Sequence, residues 1–151
     1  MVHTVKTLDD TARAGVGEKP SRKVARVGVS VAARLAMVSY AFLSSVLASG
    51  VLLQVFLAGM GAFGADWSFH VTLAQFLGMV PLLMVPVAFL GRLPWALRLL
   101  PLGAVVLIGS QYALAHAAVP VAALHPVNGF LILLTSLYIA RRSWGLARRE
   151  G

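Results

Sequence analysis

Three stretches of this chain carry no formal charge: Leu35–Ala65, Trp67–Gly91 and Leu99–Ala140, of 31, 25 and 42 residues. Each exceeds the roughly 18 to 20 apolar residues that a helix needs to cross the hydrocarbon core of a bilayer. In lipid every backbone N–H and C=O must find its partner within the protein, which leaves helices or closed barrels as the spanning structures. The longest stretch would measure about 63 Å as one helix, about twice the hydrocarbon thickness. It must therefore fold back. The break lies between His116 and Pro126, where two prolines and two histidines interrupt the Leu/Val pattern.

The predicted fold is an all-α, up-down bundle of four transmembrane helices, with spans at about residues 35–60, 67–90, 98–117 and 125–141. Glycines 59, 61 and 64 close the first span, and Arg92-Leu93-Pro94 closes the second. Pro81 and Pro86 predict a kink in the second span. Pro126 suits the first turn of the fourth helix. The residue before a proline is pushed away from helical geometry, so His125 is expected at an N-cap position with its ring along the interface.

Composition supports a lipid environment: 59% of the 151 residues are hydrophobic and 12% charged, about half the charged fraction of a typical soluble domain. A soluble enzyme, a nucleic-acid-binding domain and a disulfide scaffold are excluded as the main reading, the last because there is no cysteine. The net charge of +8 has a simpler meaning. Seven of the thirteen Lys and Arg precede the first span, two (Arg92, Arg98) lie between the second and third, and four (Arg141, Arg142, Arg148, Arg149) follow the fourth. The opposite loops offer only Asp66. The positive-inside rule then places both termini in the cytoplasm of a cell with a multi-pass plasma-membrane protein. Trp67, Trp95 and Trp144 fall at span ends, where amphipathic aromatics anchor helices.

Three regions follow: a disordered basic cytoplasmic tail at 1–33, the membrane domain at 34–142, and a basic C-terminal tail at 143–151. No cleavable signal is evident, so the first span is read as a retained anchor. No long internal repeat stands out.

Function must come from the few polar residues inside the spans: Gln54, His70, Gln75, Gln111, Tyr112, His116, His125 and Asn128. Polar groups at membrane depth are costly and usually face a bundle interior or cavity. With alternate spans running in opposite directions, Gln54, His70, His116, His125 and Asn128 all fall in the half away from the positive charges. His70 and His125 begin two helices that run the same way. Two imidazoles at one depth suit axial ligation of a haem iron between helices of a bundle. Gly78, eight residues after His70, and Gly129, four after His125, are expected to leave room for a flat macrocycle; Gln54, Gln111, Tyr112 and Asn128 complete the expected pocket. The plain alternative is a polar cluster that hydrogen-bonds neighbouring helices or water, with glycines serving close packing.

The residues from Gln54 to His70, the turn Gly91-Arg92-Leu93-Pro94, the segment Gln111 to His116, and Leu124-His125-Pro126-Val127-Asn128 resemble a family of small uncharacterised four-span bacterial membrane proteins over about residues 35–142. More distantly, the layout is similar to one four-helix half of haem A synthase. That resemblance implies haem ligated by histidines on the second and fourth helices, and only His70 and His125 carry over. The family's glutamate one turn before its second-helix histidine is absent; Asp66 stands four residues before His70. With half the helices missing, haem A synthesis is not implied.

A second candidate centre joins His70 and His125 to His116 and Asp66 as a zinc or copper site. His3 lies in the tail and is read as inert. Enzymatic motifs are lacking: there is no carboxylate pair at membrane depth, no nucleophile with a base and no phosphate loop. Ser44, Ser45 and Ser49 read as packing residues, and midplane polar sites of the transporter kind are missing. The expectation is an integral membrane protein binding b-type haem for electron transfer, with the bilayer and a membrane redox partner or second copy as its partners. The rival is a non-catalytic membrane subunit or scaffold with a polar histidine and amide cluster.

Overall fold

A computed structural model describes residues 30–149. The expected N-terminal tail lies almost wholly outside the described residues, as do the last two residues of the C-terminal one. The helices are α1 (Val31–Ala62), α2 (Ser68–Leu90), α3 (Trp95–Ala115), the single turn α4 (Val119–Ala122) and α5 (Leu124–Ala147). Counting α4 and α5 as one segment, four are long and apolar enough to cross a membrane. The chain is a multi-pass, all-helical membrane protein, and its many exposed Leu, Val and Phe side chains are the surface that lipid covers.

The helices outrun the charge-free stretches at both ends. Ser30 caps α1, its Oγ accepting the N–H of Ala33 at 3.3 Å, so the helix starts before Arg34. At the other terminus α5 continues past Arg141 and Arg142, held against α1 by Trp144, whose indole N–H donates to Ser45 Oγ at 2.9 Å. Charge marks where the hydrocarbon ends, and a helix is free to continue into the headgroups. His125 departs from expectation too. It is the second residue of α5, inside the helix and half-buried, because Pro126 stands in the first turn, where a missing N–H leaves no helical bond unmade.

Each long helix packs against two others. α1 touches α2 and α5, α3 touches the same two, and α4 rests on α3 and α5. The four thus form a square with α1 and α3 on one diagonal and α2 and α5 on the other. This placement controls everything at the site.

The square is filled at the end that carries the arginines. Tyr40, Leu47, Met84, Leu93 and Ile139 are completely buried there, and Ser44, Ser136 and Ser143 let α1 and α5 approach closely. Ser44 Oγ donates to Ala41 O at 2.9 Å and lies 3.2 Å from Ser143 Oγ; Ser136 Oγ donates to Ile132 O at 2.6 Å. The prolines do not interrupt the helices: α2 runs through Pro81 and Pro86, and α3 through Pro101. Proline removes the N–H that would bond the carbonyl four residues earlier. For Pro101 that carbonyl is Leu97, and it is capped from another helix: the Tyr40 hydroxyl donates to it at 2.6 Å.

The α2–α3 turn inverts what its sequence suggests. Leu93 N–H bonds Ala88 O at 3.1 Å and Arg92 N–H bonds Phe89 O at 3.0 Å, the paired bonds of a Schellman motif. Its left-handed position is taken by Arg92 (φ 50°), although Gly91 stands beside it. Gly91 is needed elsewhere, since a Cβ there would lie 3.2 Å from Met37 N and 3.3 Å from Val87 O, both backbone atoms. At the other end of α1–α2 the same motif has the usual glycine, Gly64, with φ 96°. Arg92→Gly is therefore expected to raise stability by up to about 1 kcal/mol by relieving the left-handed conformation. Gly91→Ala is expected to lower it by about 1 kcal/mol, since backbone cannot yield as a side chain would. Denaturant titrations in detergent micelles would check both; equal effects of the two changes would contradict the assignment.

Candidate functional site: a histidine cavity at the open end of the bundle

Opposite the filled end, the square leaves a half-open cavity of about 500 Å³. Its lining includes Gln54 of α1, His70 of α2, Gln111 and Tyr112 of α3, and His125 and Gly129 of α5. The size is within the range of small-molecule and cofactor sites, about 300–1,000 Å³. His70 and His125 come from the two helices on one diagonal, and Gln54 and Gln111 from the other.

The two histidines are held in the same way. On the α1–α2 side, Gln54 Nε2 donates to the His70 carbonyl at 3.0 Å and His70 Nδ1 lies 3.2 Å from the Gln54 carbonyl. On the α3–α5 side, Gln111 Nε2 donates to the His125 carbonyl at 3.0 Å and His125 Nδ1 lies 3.2 Å from the Gln111 carbonyl. A carbonyl oxygen can only accept, so Nδ1 carries a proton in both rings, and in the neutral imidazole Nε2 then keeps its lone pair. This is the arrangement by which proteins orient a metal-binding imidazole and raise its basicity. The bundle is thus two helical hairpins, each with a Gln–His bracket. The sequence trace of that repeat is Gln54 followed sixteen residues later by His70, and Gln111 followed fourteen later by His125; it is too short to stand out among so many apolar residues.

The brackets differ in one respect. Asn128, buried on α5, donates through Nδ2 to Gln111 Oε1 and to the Leu107 carbonyl, the latter at 2.8 Å. The position three residues after His70 is Leu73, which has no donor to offer. Gln54 Oε1 is accordingly buried with no hydrogen-bond partner.

Of the expected pocket residues, Gln54, Gln111, Tyr112 and Gly129 line the cavity, Asn128 stands behind it on Gln111, and Gly78 is elsewhere. Gly78 faces a separate groove of about 350 Å³ between α2 and α3, with Gln75, Gly109 and Tyr112. Eight residues carry a helix about 80° beyond two full turns, enough to leave the face of His70; the four from His125 to Gly129 add only about 40°. Trp67 was foreseen only as an interfacial anchor. It meets His70 edge-on, with ring centroids 5.5 Å apart, and packs so closely over Gly61 that a Cβ there would fall 2.5 Å from its ring.

The three-histidine, one-carboxylate set does not assemble: among the described residues no three metal-binding side chains converge. His116 lines the cavity rim but is exposed, its Nδ1 2.9 Å from the Tyr112 carbonyl of its own helix. Asp66 is instead turned to the first residue of α2, with one oxygen accepting Ser68 Oγ at 2.5 Å and the other Ser68 N–H at 2.9 Å. These bonds from Ser68, the hydroxyl first, hold its carboxyl below the usual carboxylate pKa. A spacing of four residues puts Asp66 and His70 on one face only if both are helical, and α2 starts at Ser68.

The chain is similar to a family of unknown function (DUF6220) over residues 54–118, a segment that begins at Gln54 and includes His70 and Gln111. No curated protein and no solved structure matches it, so neither comparison supports the expected resemblance to half of haem A synthase.

Proposed function

We propose that this cavity binds b-type haem, which His70 and His125 would hold by its iron, and that the protein serves electron transfer with a membrane redox partner. The observation that carries this reading is the pair of brackets. Two half-buried imidazoles on diagonal helices line one cavity, each with Nδ1 engaged by a carbonyl and Nε2 left as a ligand. The donor set fits the group: two neutral imidazoles, apolar walls, and Gly129 giving space beside His125. The cofactor would supply one-electron chemistry. The protein's part is to fix the two rings, exclude water with Val51, Leu77, Ile108 and Ile132, and provide a low-dielectric wall that sets the potential.

Protein purified from haem-replete cells is expected to show a Soret band with low-spin features that sharpen on reduction. His70→Ala and His125→Ala should each abolish the low-spin spectrum. A colourless wild-type preparation overturns the reading. It would favour the second one, a non-catalytic membrane subunit, which the same brackets support because they bond α1 to α2 and α3 to α5. The described arginines cluster at the starts of α1 and α3 and the ends of α2 and α5, so we further propose a plasma-membrane protein with both termini cytoplasmic. The cysteine-free sequence allows a direct check by labelling single cysteines placed at position 64 or 92. Labelling of position 64 from outside is expected, and labelling of position 92 from outside would reverse the orientation.

A further inference from the structure

We infer that the two histidines are unequal: His125 is the permanent ligand and His70 the one that gives way, so the site accepts a small neutral donor on the His70 side. The inference rests on the haem reading and concerns only what this chain's residues do. Both histidines have the same hydrogen-bond partners at the same distances, so the difference lies in what holds those partners and in the Trp67 ring against His70. Around His125, the Gln111 side chain is held at both ends. Its Nε2 donates to the His125 carbonyl, and its Oε1 accepts from Asn128, which is itself tied to the Leu107 carbonyl of the same helix as Gln111. Around His70, the Gln54 side chain is held at one end only, with Oε1 buried and without a donor.

A buried acceptor without a donor is unfavourable, and a side chain that can reach a partner by rotating relieves it. Any rotation of Gln54 towards a donor would break its bond to the His70 carbonyl and remove one of the ties on the start of α2. No such gain exists for Gln111, whose two groups are both satisfied. The backbone differs in one respect only: His125 is followed by Pro126 within the first turn of α5, whereas the position after His70 is Val71. With haem bound, exchange at this position would break the bond from His70 Nε2 to iron and form one from iron to the incoming atom. No electron is transferred, and the proton on His70 Nδ1 stays in place.

The test uses full-length haem-loaded protein with carbon monoxide and imidazole as probes. Reduced wild-type protein is expected to take up carbon monoxide with a shifted Soret band. His70→Gly should retain haem within twofold of the wild-type ratio, show a high-spin spectrum and return to low spin on adding imidazole. His125→Gly should retain less than a tenth. Leu73→Asn supplies the donor missing from Gln54 and is expected to slow carbon monoxide binding at least fivefold. Wild-type protein that refuses carbon monoxide, equal haem loss in the two glycine variants, or an unchanged rate in a haem-loaded Leu73→Asn variant overturns the inequality while leaving bis-histidine ligation intact. Should Leu73→Asn fail to fold, the glycine pair still decides. A wild-type protein without haem overturns the parent reading and this one together.

Discussion

Gly129→Leu is expected to reduce haem occupancy at least tenfold while leaving the bundle folded. A Cβ at this position would lie 3.3 Å from Gln111 Nε2, the atom that donates to the His125 carbonyl. The rest of a leucine side chain has two directions open to it, and each is damaging. It enters the cavity where a macrocycle would lie, or it pushes the Gln111 amide aside and loosens the bracket on His125. A tenfold loss corresponds to about 1.4 kcal/mol of binding free energy, modest for filling a pocket of about 500 Å³. Gly129→Ala is the control, since one methyl at 3.3 Å needs only a few tenths of an ångström of movement. Haem-to-protein ratios from absorbance would read both. A leucine variant with full occupancy would show that haem lies elsewhere.

Tyr40→Phe is expected to destabilise the bundle by about 1–2 kcal/mol. Hydrogen bonds between transmembrane helices average about 0.6 kcal/mol, with a maximum near 1.7, and this one belongs at the upper end. Its acceptor, the Leu97 carbonyl, has lost its own helix's donor to Pro101, and Tyr40 is fully buried. Removing the hydroxyl leaves an acceptor with no alternative, which generally costs about 1–3 kcal/mol. The double change Tyr40→Phe with Pro101→Ala should recover most of the loss, because alanine restores the N–H within α3. Unfolding titrations in mixed detergent micelles give the comparison; a double variant no more stable than Tyr40→Phe would refute the coupling.

Two kinds of residue behaved differently between sequence and structure. Spans, helix count and the collection of polar side chains at one end were legible because they depend on local quantities: runs of apolar residues, the rise per residue and the alternation of helix direction. The ends of α1 and α5 were not, since a charge stops the hydrocarbon and a helix need not stop with it. Gly78 was misplaced by 80° of helical rotation, and the proposed role for Asp66 and His116 failed on helix boundaries and on partners within their own segments. Gly91 and Arg92 look interchangeable as turn residues, yet α1 passes so close to Gly91 that the left-handed conformation falls to the arginine.

The charge-free stretches by themselves determined that this chain crosses a membrane four times, because no other structure hides so many backbone groups from lipid at that length. They also determined which residues have chemistry to offer there, since eight polar side chains stand out against an apolar background. Which of those meet was decided only by the tertiary structure. The square packing puts α2 and α5 on one diagonal, so His70 and His125 share a cavity, while the adjacent α1 and α3 supply the glutamines that hold them. No periodicity along one helix contains that information. It depends on which helices are neighbours, and the difference made by Asn128 opposite Leu73 becomes visible only once the two hairpins stand side by side.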